Sequence, residues 1–202
     1  MKTFYTPILL IAFTLLITTA CQSHKNIQPN VIKTDTLDLG YMYWANDFTP
    51  FGFGSRYSLI LLGTVTKIEN PAEVSEDAIY TSVEGHITIK EVILDSKSHG
   101  NDMNSIGSIT TDCFEGTTLS NGDQVLVFCV SYEGNYAITG KQSIIKIPKN
   151  DKRYITSIKK YINASYDPRI IEKDIELWRK VAVGDALENY LKEYKDYLKE
   201  KN

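Results

Sequence analysis

The middle of the chain alternates between short apolar segments and polar turns. The first two apolar segments, 57–68 and 79–94, are long, and each is interrupted, at Gly63 in the first and at Lys90 in the second. A glycine or a change of phase inside a strand is typical of a bend or a β-bulge. Three shorter segments of the same kind follow, at 106–113, 124–131 and 136–147. The pattern therefore predicts five strands, of which the first two are bent.

Segment 124–131 is apolar at successive positions, as in a central strand that is covered on both faces. The dipeptide Asn121-Gly122 precedes it and supplies the positive backbone angles of a tight turn. Five bent strands with a long first strand are what a small barrel of the OB type requires. We therefore expect a small five-stranded antiparallel Greek-key β-barrel, with a β-sandwich and an open five-stranded sheet as the alternatives.

The C-terminal segment, 150–202, has the spacing of helices. Its apolar residues recur at intervals of three and four, as on one face of a helix: Ile155, Ile158, Ile162, Ile171, Ile175, Trp178, Ala182, Leu187, Tyr190, Leu191, Tyr194 and Leu198. Asp167-Pro168 is a favourable helix start, because Asp caps a helix and Pro suits its first turn. The predicted class is α+β, with a barrel at 41–149 followed by two or three C-terminal helices packed on it.

The N-terminus carries a short apolar run that ends in small residues before a cysteine. The run at 8–17 follows Lys2, and Thr18-Thr19-Ala20 leads to Cys21. It is shorter than the ~20 residues of a membrane-spanning helix. The arrangement resembles a bacterial lipoprotein signal, which implies that 1–20 is a cleaved signal peptide and that Cys21 carries the lipid anchor. The alternative is an ordinary secretory signal with a free Cys21 thiol.

The residues after Cys21 indicate the compartment. Gln22 stands where Asp would retain such a lipoprotein at the inner membrane, and 22–26 lacks the acidic residues of some surface-exposed lipoproteins. We therefore expect an outer-membrane lipoprotein of the cell envelope that faces the periplasm. Polar residues without a clear period continue to residue 40, so 21–40 is predicted to be a flexible tether between the lipid and the barrel.

Composition excludes one class of partner. The 202 residues include 22 Lys and Arg against 25 Asp and Glu, which gives a net charge of −3. A nucleic-acid-binding protein normally has a basic excess, so we expect no nucleic-acid partner. Hydrophobic residues make up 43% of the chain, which is ordinary for a globular fold.

Two further cysteines lie on neighbouring predicted strands. Cys113 and Cys129 are sixteen positions apart in a compartment that permits disulfides, and a bridge would contribute roughly 3 kcal/mol. Two buried thiols are the alternative, because Cys129 sits within an apolar strand. A nucleophilic role is not indicated, since neither cysteine has a recognisable histidine neighbour.

Few residues form a pattern with specific chemistry. His24, His86 and His99 are not at ligand spacing, so neither a metal site nor a cofactor is predicted. The acidic stretch 69–77 lacks the spacing of a calcium loop and is interpreted as a solvated loop. An aromatic-rich segment either covers the open end of the barrel or forms a binding patch for a sugar or a peptide. Its candidate residues are Tyr43, Trp44, Phe51 and Phe53.

Short motifs occur in a recognisable order along the predicted barrel. They are Gly63-Thr64-Val65, Ile87-Thr88-Ile89-Lys90-Glu91-Val92-Ile93, Cys113, and Gly122-Asp123 before the strand 124–131. In this order they resemble the netrin-like OB domains, a family that includes the tissue inhibitors of metalloproteinases. The resemblance covers about residues 57–147 and implies an OB fold. It does not imply zinc-chelating inhibition, because that mechanism needs a free N-terminal cysteine and Cys21 is predicted to be lipidated.

Together these features predict a non-enzymatic, lipid-anchored binding or assembly module. It would contact the membrane through Cys21 and bind an unidentified protein or glycan. Two alternatives are an inhibitor or immunity-type protein that blocks a secreted enzyme, and a hydrolase whose carboxylates come together only in the folded chain. A deep pocket with carboxyl groups of raised pKa would favour the hydrolase, and an exposed aromatic patch would favour a binding or inhibitory protein.

Overall fold

Eight strands form one curled sheet in the computed structural model, which describes residues 35–41, 50–51, 57–69, 82–96, 103 and 105–201. The strands are β1 (Asp35–Asp38), β2 (Gly40–Tyr41), β3 (Leu59–Ile68), β4 (Gly85–Asp95), β5 (Ile106–Thr111), β6 (Gln124–Tyr132), β7 (Asn135–Ile138) and β8 (Ile144–Ile147). The helices are α1 (Lys152–Asn163), α2 (Ile175–Arg179) and α3 (Gly184–Glu200), with 3-10 helices at Lys141–Ser143 and Pro168–Asp174. The predicted α+β class is confirmed.

The strand order is β1-β5-β4-β3-β6-β7-β2, and β8 pairs with β6 next to β7. β3, β4 and β5 are successive antiparallel neighbours, and β6 returns to lie beside β3, which is a Greek-key arrangement. Two other pairs, β1 with β5 and β2 with β7, are parallel. The prediction of five antiparallel strands is therefore wrong. The strand expected at 136–147 is divided into β7 and β8 by a 3-10 helix, and two strands come from the segment 35–41.

The segment 35–41 connects the two ends of the strand order. β1 pairs with β5 and β2 pairs with β7, so consecutive parts of one short segment contact strands that are far apart in the sheet. Between them Leu39 is 1% exposed, and its backbone N–H donates to the carbonyl of Thr110 at 2.9 Å. The prediction of a flexible tether as far as residue 40 is wrong from residue 35 onward. The alternating Leu37 and Leu39, which pack in the core, explain why this part of the chain joins the sheet.

β3 and β4 are bent where the sequence pattern is interrupted. Their pairing register shifts at three places along β3, as it does at β-bulges. Gly63 lies at one of these shifts, and a Cβ atom there would lie 2.3 Å from Cγ2 of Ile87 and 2.9 Å from the carbonyl oxygen of Thr88. Because only glycine lacks a Cβ atom, Gly63 permits the close approach of the two strands.

The sheet separates two hydrophobic cores, because successive side chains of a strand point to opposite faces. On β6, Val125, Val127 and Cys129 face one core, while Leu126 and Phe128 face the other. No helix residue that the structure describes belongs to the inner core, whose fully buried members include Leu39, Leu59, Leu61, Val65, Ile87, Ile109, Val125, Val127, Cys129 and Ile138. The outer core lies between the sheet and the helices, and its members include Phe51, Tyr57, Ile60, Leu62, Leu126, Phe128, Tyr154, Ile158, Tyr161, Trp178, Leu187 and Leu191.

Aspartates start two of the C-terminal helices. Asp151 accepts a hydrogen bond from the backbone N–H of Arg153 at 3.1 Å, and Asp167 accepts one from that of Arg169 at 3.0 Å. These contacts satisfy N–H groups that have no partner inside a helix. The start at Asp167 is as predicted, but the helix that follows is a 3-10 helix continued by the short α2. Among the described residues, no helix combines the length and the apolar character that crossing a membrane requires.

Candidate functional site

An open groove runs along β8 and has a cavity volume of about 730 Å³. The loop 116–119 and the turn 180–183 between α2 and α3 also line it. We name it the β8 groove. Its floor is β8, whose isoleucines are buried, Ile144 in the inner core and Ile145 and Ile147 in the outer core. Its volume lies within the ~300–1,000 Å³ of ligand pockets in folded domains.

Three lysines line the β8 groove, and none of the described residues that line it is acidic. Lys141 and Lys180 are exposed, and Lys141 Nζ lies 3.5 Å from the carbonyl oxygen of Gly116. Lys146 pairs with Asp123 at 2.8 Å, and this hydrogen bond lowers the pKa of the Asp123 carboxyl. The groove therefore offers an apolar floor with a cationic rim.

β8 lines the groove and is paired along one of its edges. It pairs with β6 over four residues, from Gln124 opposite Ile147 to Val127 opposite Ile144, and no other described strand pairs with it. Each strand has two edges, so the second edge of β8 carries backbone donors and acceptors that no described ladder uses. An extended ligand has main-chain groups that match such an edge.

Neither cysteine lies in the β8 groove. Cys113 and Cys129 are both free and buried, and both belong to the inner core. Burial raises the pKa of Cys113 to about 12 and also raises that of Cys129, which is further raised by the nearby Cys113. Thiols of this kind are weak nucleophiles, because the thiolate is the reactive form. The bridge between them stays a prediction.

The predicted aromatic patch is not supported at its one described residue. Phe51 is 2% exposed, and its ring lies 4.8 Å from that of Trp178 and 5.5 Å from that of Tyr161. It is a member of the outer core, so including it in an exposed patch was wrong. The alternative, that aromatics of this segment supply buried area, fits Phe51. Tyr43, Trp44 and Phe53 lie outside the described residues, as does Cys21.

The fold places His86 between two glutamates, which the spacing of the histidines did not predict. Its Nε2 atom is 3.4 Å from Oε1 of Glu69 and 3.2 Å from Oε1 of Glu84. Glu84 and His86 are two positions apart, which is the spacing of residues on one face of a strand. This spacing is the feature of the sequence that indicates their proximity. Glu69 comes from the end of β3, which only the pairing of β3 with β4 brings near. His24 and His99 lie outside the described residues.

Five carboxyl groups of the described residues have a pKa that differs from its ordinary value, and each of them lies beside a basic side chain. The pKa is lowered in all five, chiefly by a hydrogen bond from a lysine or an arginine: Glu69, Asp123, Asp151, Asp167 and Asp196. A general acid in a hydrolase needs the opposite shift, a raised pKa.

No family model and no curated protein matches the chain.

Proposed function

We propose that this protein is a lipid-anchored envelope protein whose sheet-and-helix domain is a non-enzymatic binding module, with the β8 groove as its ligand site. The observation that carries the proposal is the combination of an apolar floor and a lysine rim along β8, a strand that has one edge with which no described strand pairs. The net charge of −3 argues against a nucleic-acid ligand.

The charge of the rim indicates the ligand. Lys141 lies beside the loop 116–119 and Lys180 belongs to the turn 180–183, so an acidic ligand in the groove meets cations from two separate segments. The edge of β8 favours an extended main chain, whose hydrogen bonds give affinity while alternate side chains give specificity. An acidic, extended segment of another protein satisfies both conditions.

We infer that the domain is a divergent OB-like fold. The order β6-β3-β4-β5 and the bent β3 support this, because a small Greek-key barrel requires both. The parallel contacts of β1 and β2 are additions to that core. The likeness to netrin-like domains concerns architecture and assigns no inhibitory activity.

Binding is tested with a fluorescein-labelled peptide of alternating Glu and Val, with a peptide of alternating Lys and Val as its charge control. We expect anisotropy to rise with the acidic peptide alone. Changing Lys141→Glu and Lys180→Glu together should weaken binding roughly tenfold, since each exposed ion pair contributes ~0.2–1 kcal/mol and reversal adds repulsion. The matched variant changes Lys173→Glu and Lys192→Glu, exposed lysines outside the groove. Equal loss of binding in both variants would contradict the groove as the site.

The anchor is tested separately by labelling cells with an alkyne fatty acid. The full chain should carry the label, and Cys21→Ser should not, because the anchor needs the Cys21 sulfur. Label on the Cys21→Ser chain, or none on the unchanged chain, would refute the lipoprotein assignment without touching the groove.

A further inference from the structure

We propose that Glu69, Glu84 and His86 form a binding site for a divalent transition metal ion such as Zn²⁺. The site lies at the end of the β3–β4 ladder where Ile68 pairs with Gly85. The proposal does not depend on the β8 groove or on its ligand. Failure of either proposal therefore leaves the other standing.

Backbone pairing fixes the positions from which the three side chains project. Lys67 and His86 are paired in the β3–β4 ladder, as are Ile68 and Gly85. The backbone N–H of Glu69 donates to the carbonyl of Glu84 at 2.9 Å, which continues the contact by one more residue. The ligands thus stand on ladder-paired backbone, which is the kind of support a preorganised site needs.

The spacing of the donor atoms fits a single ion. One atom from each residue lies within 4.8 Å of the other two, and Nε2 of His86 is 3.2–3.4 Å from both carboxylates. Ligands about 2.0–2.2 Å from a tetrahedral ion are separated by roughly 3.3–3.6 Å. The side chains therefore need only a small movement to enclose an ion, with His86 Nε2 giving its lone pair.

The donor set indicates the class of metal. Imidazole suits zinc and related transition metals, whereas calcium and magnesium prefer oxygen alone. The side chains of Glu69, Glu84 and His86 are 35%, 56% and 33% exposed, so an ion there keeps positions open to water or to a further ligand. Three protein ligands with one open position is the arrangement of an accessible zinc site.

Lys67 competes with the metal. Its ammonium group contacts Oε1 of Glu69, and the contact helps to lower the pKa of that carboxyl. The Lys67 side chain is 60% exposed, so it can turn into water at small cost when an ion takes its place. Removing this amine should therefore strengthen metal binding.

The test is calorimetric titration of the full chain, purified in detergent, with ZnCl₂. We expect binding that His86→Asn and Glu84→Gln each weaken by about tenfold or more, since both change a ligand. Glu91→Gln is the matched control, because Glu91 is a half-exposed glutamate on β4, outside the site, and is paired with Lys159. It should bind as the unchanged chain does.

Two further measurements distinguish metal binding at Glu69, Glu84 and His86 from binding at the cysteines or elsewhere in the chain. Lys67→Ala should bind Zn²⁺ roughly two- to fivefold more tightly, the equivalent of losing one exposed ion pair. With Co²⁺ in place of Zn²⁺, the spectrum should lack the charge-transfer band of a thiolate, because Cys113 and Cys129 take no part. No binding by the full chain, or equal binding by His86→Asn and Glu91→Gln with unchanged circular dichroism, would overturn the proposal.

Discussion

The two cores of the domain lie on opposite faces of the same strands but differ in composition. The inner core is mainly aliphatic and contains both thiols, whereas the outer core is rich in aromatic rings. β3 and β6 contribute to both, so these strands are apolar on both faces. The comparison shows that the described strands and loops enclose the inner core, whereas the outer core is formed only where the helices pack on the sheet.

The outer core also contains polar atoms that need partners. Nε1 of Trp178 donates to Oγ of Ser157 at 3.0 Å, and the Tyr154 hydroxyl donates to the carbonyl of Leu177 at 3.2 Å. Buried donors without a partner cost free energy, so these bonds position α1 against α2. The inner core has a contact of this kind too, since the Tyr136 hydroxyl donates to Oδ1 of Asp95 at 2.5 Å, and it also needs the close approach of strands at Gly63.

The largest expected effect is at the centre of the outer core. Trp178 is fully buried, so Trp178→Ala should lower the free energy of unfolding by ~3–5 kcal/mol. Ile170→Ala is the control, since Ile170 is 54% exposed and should change it by less than ~0.5 kcal/mol. Urea unfolding followed by circular dichroism measures both. A small effect of Trp178→Ala would mean that the helices do not depend on this core.

Substitutions in the two cores should lower the free energy of unfolding independently of each other. Leu61 is fully buried in the inner core, and Leu61→Ala should cost ~2–5 kcal/mol. Combined with Trp178→Ala, its effect should add to within ~0.5 kcal/mol, because the two residues share no cluster. Urea unfolding of the two single variants and the double variant gives the interaction energy. A value above ~1 kcal/mol would show that the cores act as one unit.

The inner core should contain a disulfide in protein prepared from the envelope. We expect Cys113 and Cys129 to resist alkylation in urea until reductant is added, after which the mass should rise by two alkyl groups. The bridge should stabilise the domain by roughly 3 kcal/mol relative to the reduced form. In the reduced native chain, burial and the raised pKa of Cys113 should make alkylation slow. Full alkylation in urea without reductant would refute the bridge.

Glycine at the sheet bend should matter less than the buried tryptophan. Gly63→Ala places a methyl group 2.3 Å from Ile87 and should cost ~1–3 kcal/mol through overpacking. In an Ile87→Ala background, which lacks Cγ2, Gly63→Ala should still lower the free energy of unfolding, because the Thr88 carbonyl at 2.9 Å is backbone. Urea unfolding of the two single variants and the double variant tests this, and no cost of Gly63→Ala in the Ile87→Ala background would place the strain in the side chain alone.

Acid should weaken the attachment of the helices slightly. The pKa of Asp151 and of Asp167 is lowered in the folded chain, chiefly by hydrogen bonds from the neighbouring arginines. Each group therefore contributes stability above its unfolded pKa of about 3.9, and this contribution is lost as the pH falls through the lower, folded value. Asp167→Asn should flatten the fall of the unfolding free energy below about pH 4. If the free energy of unfolding falls equally steeply below about pH 4 in the Asp167→Asn variant, Asp167 does not contribute to the acid sensitivity.

Residue pattern predicted the larger elements because their periodicity is strong. The bend at Gly63, the central strand β6 and the cap at Asp167 follow from local chemistry, and all appear in the structure. β1 and β2 were missed, since their short polar sequence carries only Leu37 and Leu39 as a signal.

The candidate sites were harder to predict, because they are assembled from distant parts of the chain. The β8 groove joins the loop 116–119, β8 and the turn 180–183, and no local motif links these segments. His86 meets Glu69 only through the β3–β4 pairing. Aromatic content does not indicate whether a ring is buried, so the sequence leaves a buried cover and a binding patch as alternatives for Phe51.

The most direct test of the binding function is photo-crosslinking in intact cells. A benzoylphenylalanine residue replaces Gln142, which is exposed on the rim of the β8 groove, and in a control chain replaces Glu193, which is exposed on α3 outside the groove. We predict a discrete adduct from position 142 that disappears when Lys141 and Lys180 are both changed to Glu, and no such adduct from position 193. Equal adducts from both positions, or an adduct at 142 that survives the charge reversal, would contradict the assignment of the groove as the binding site.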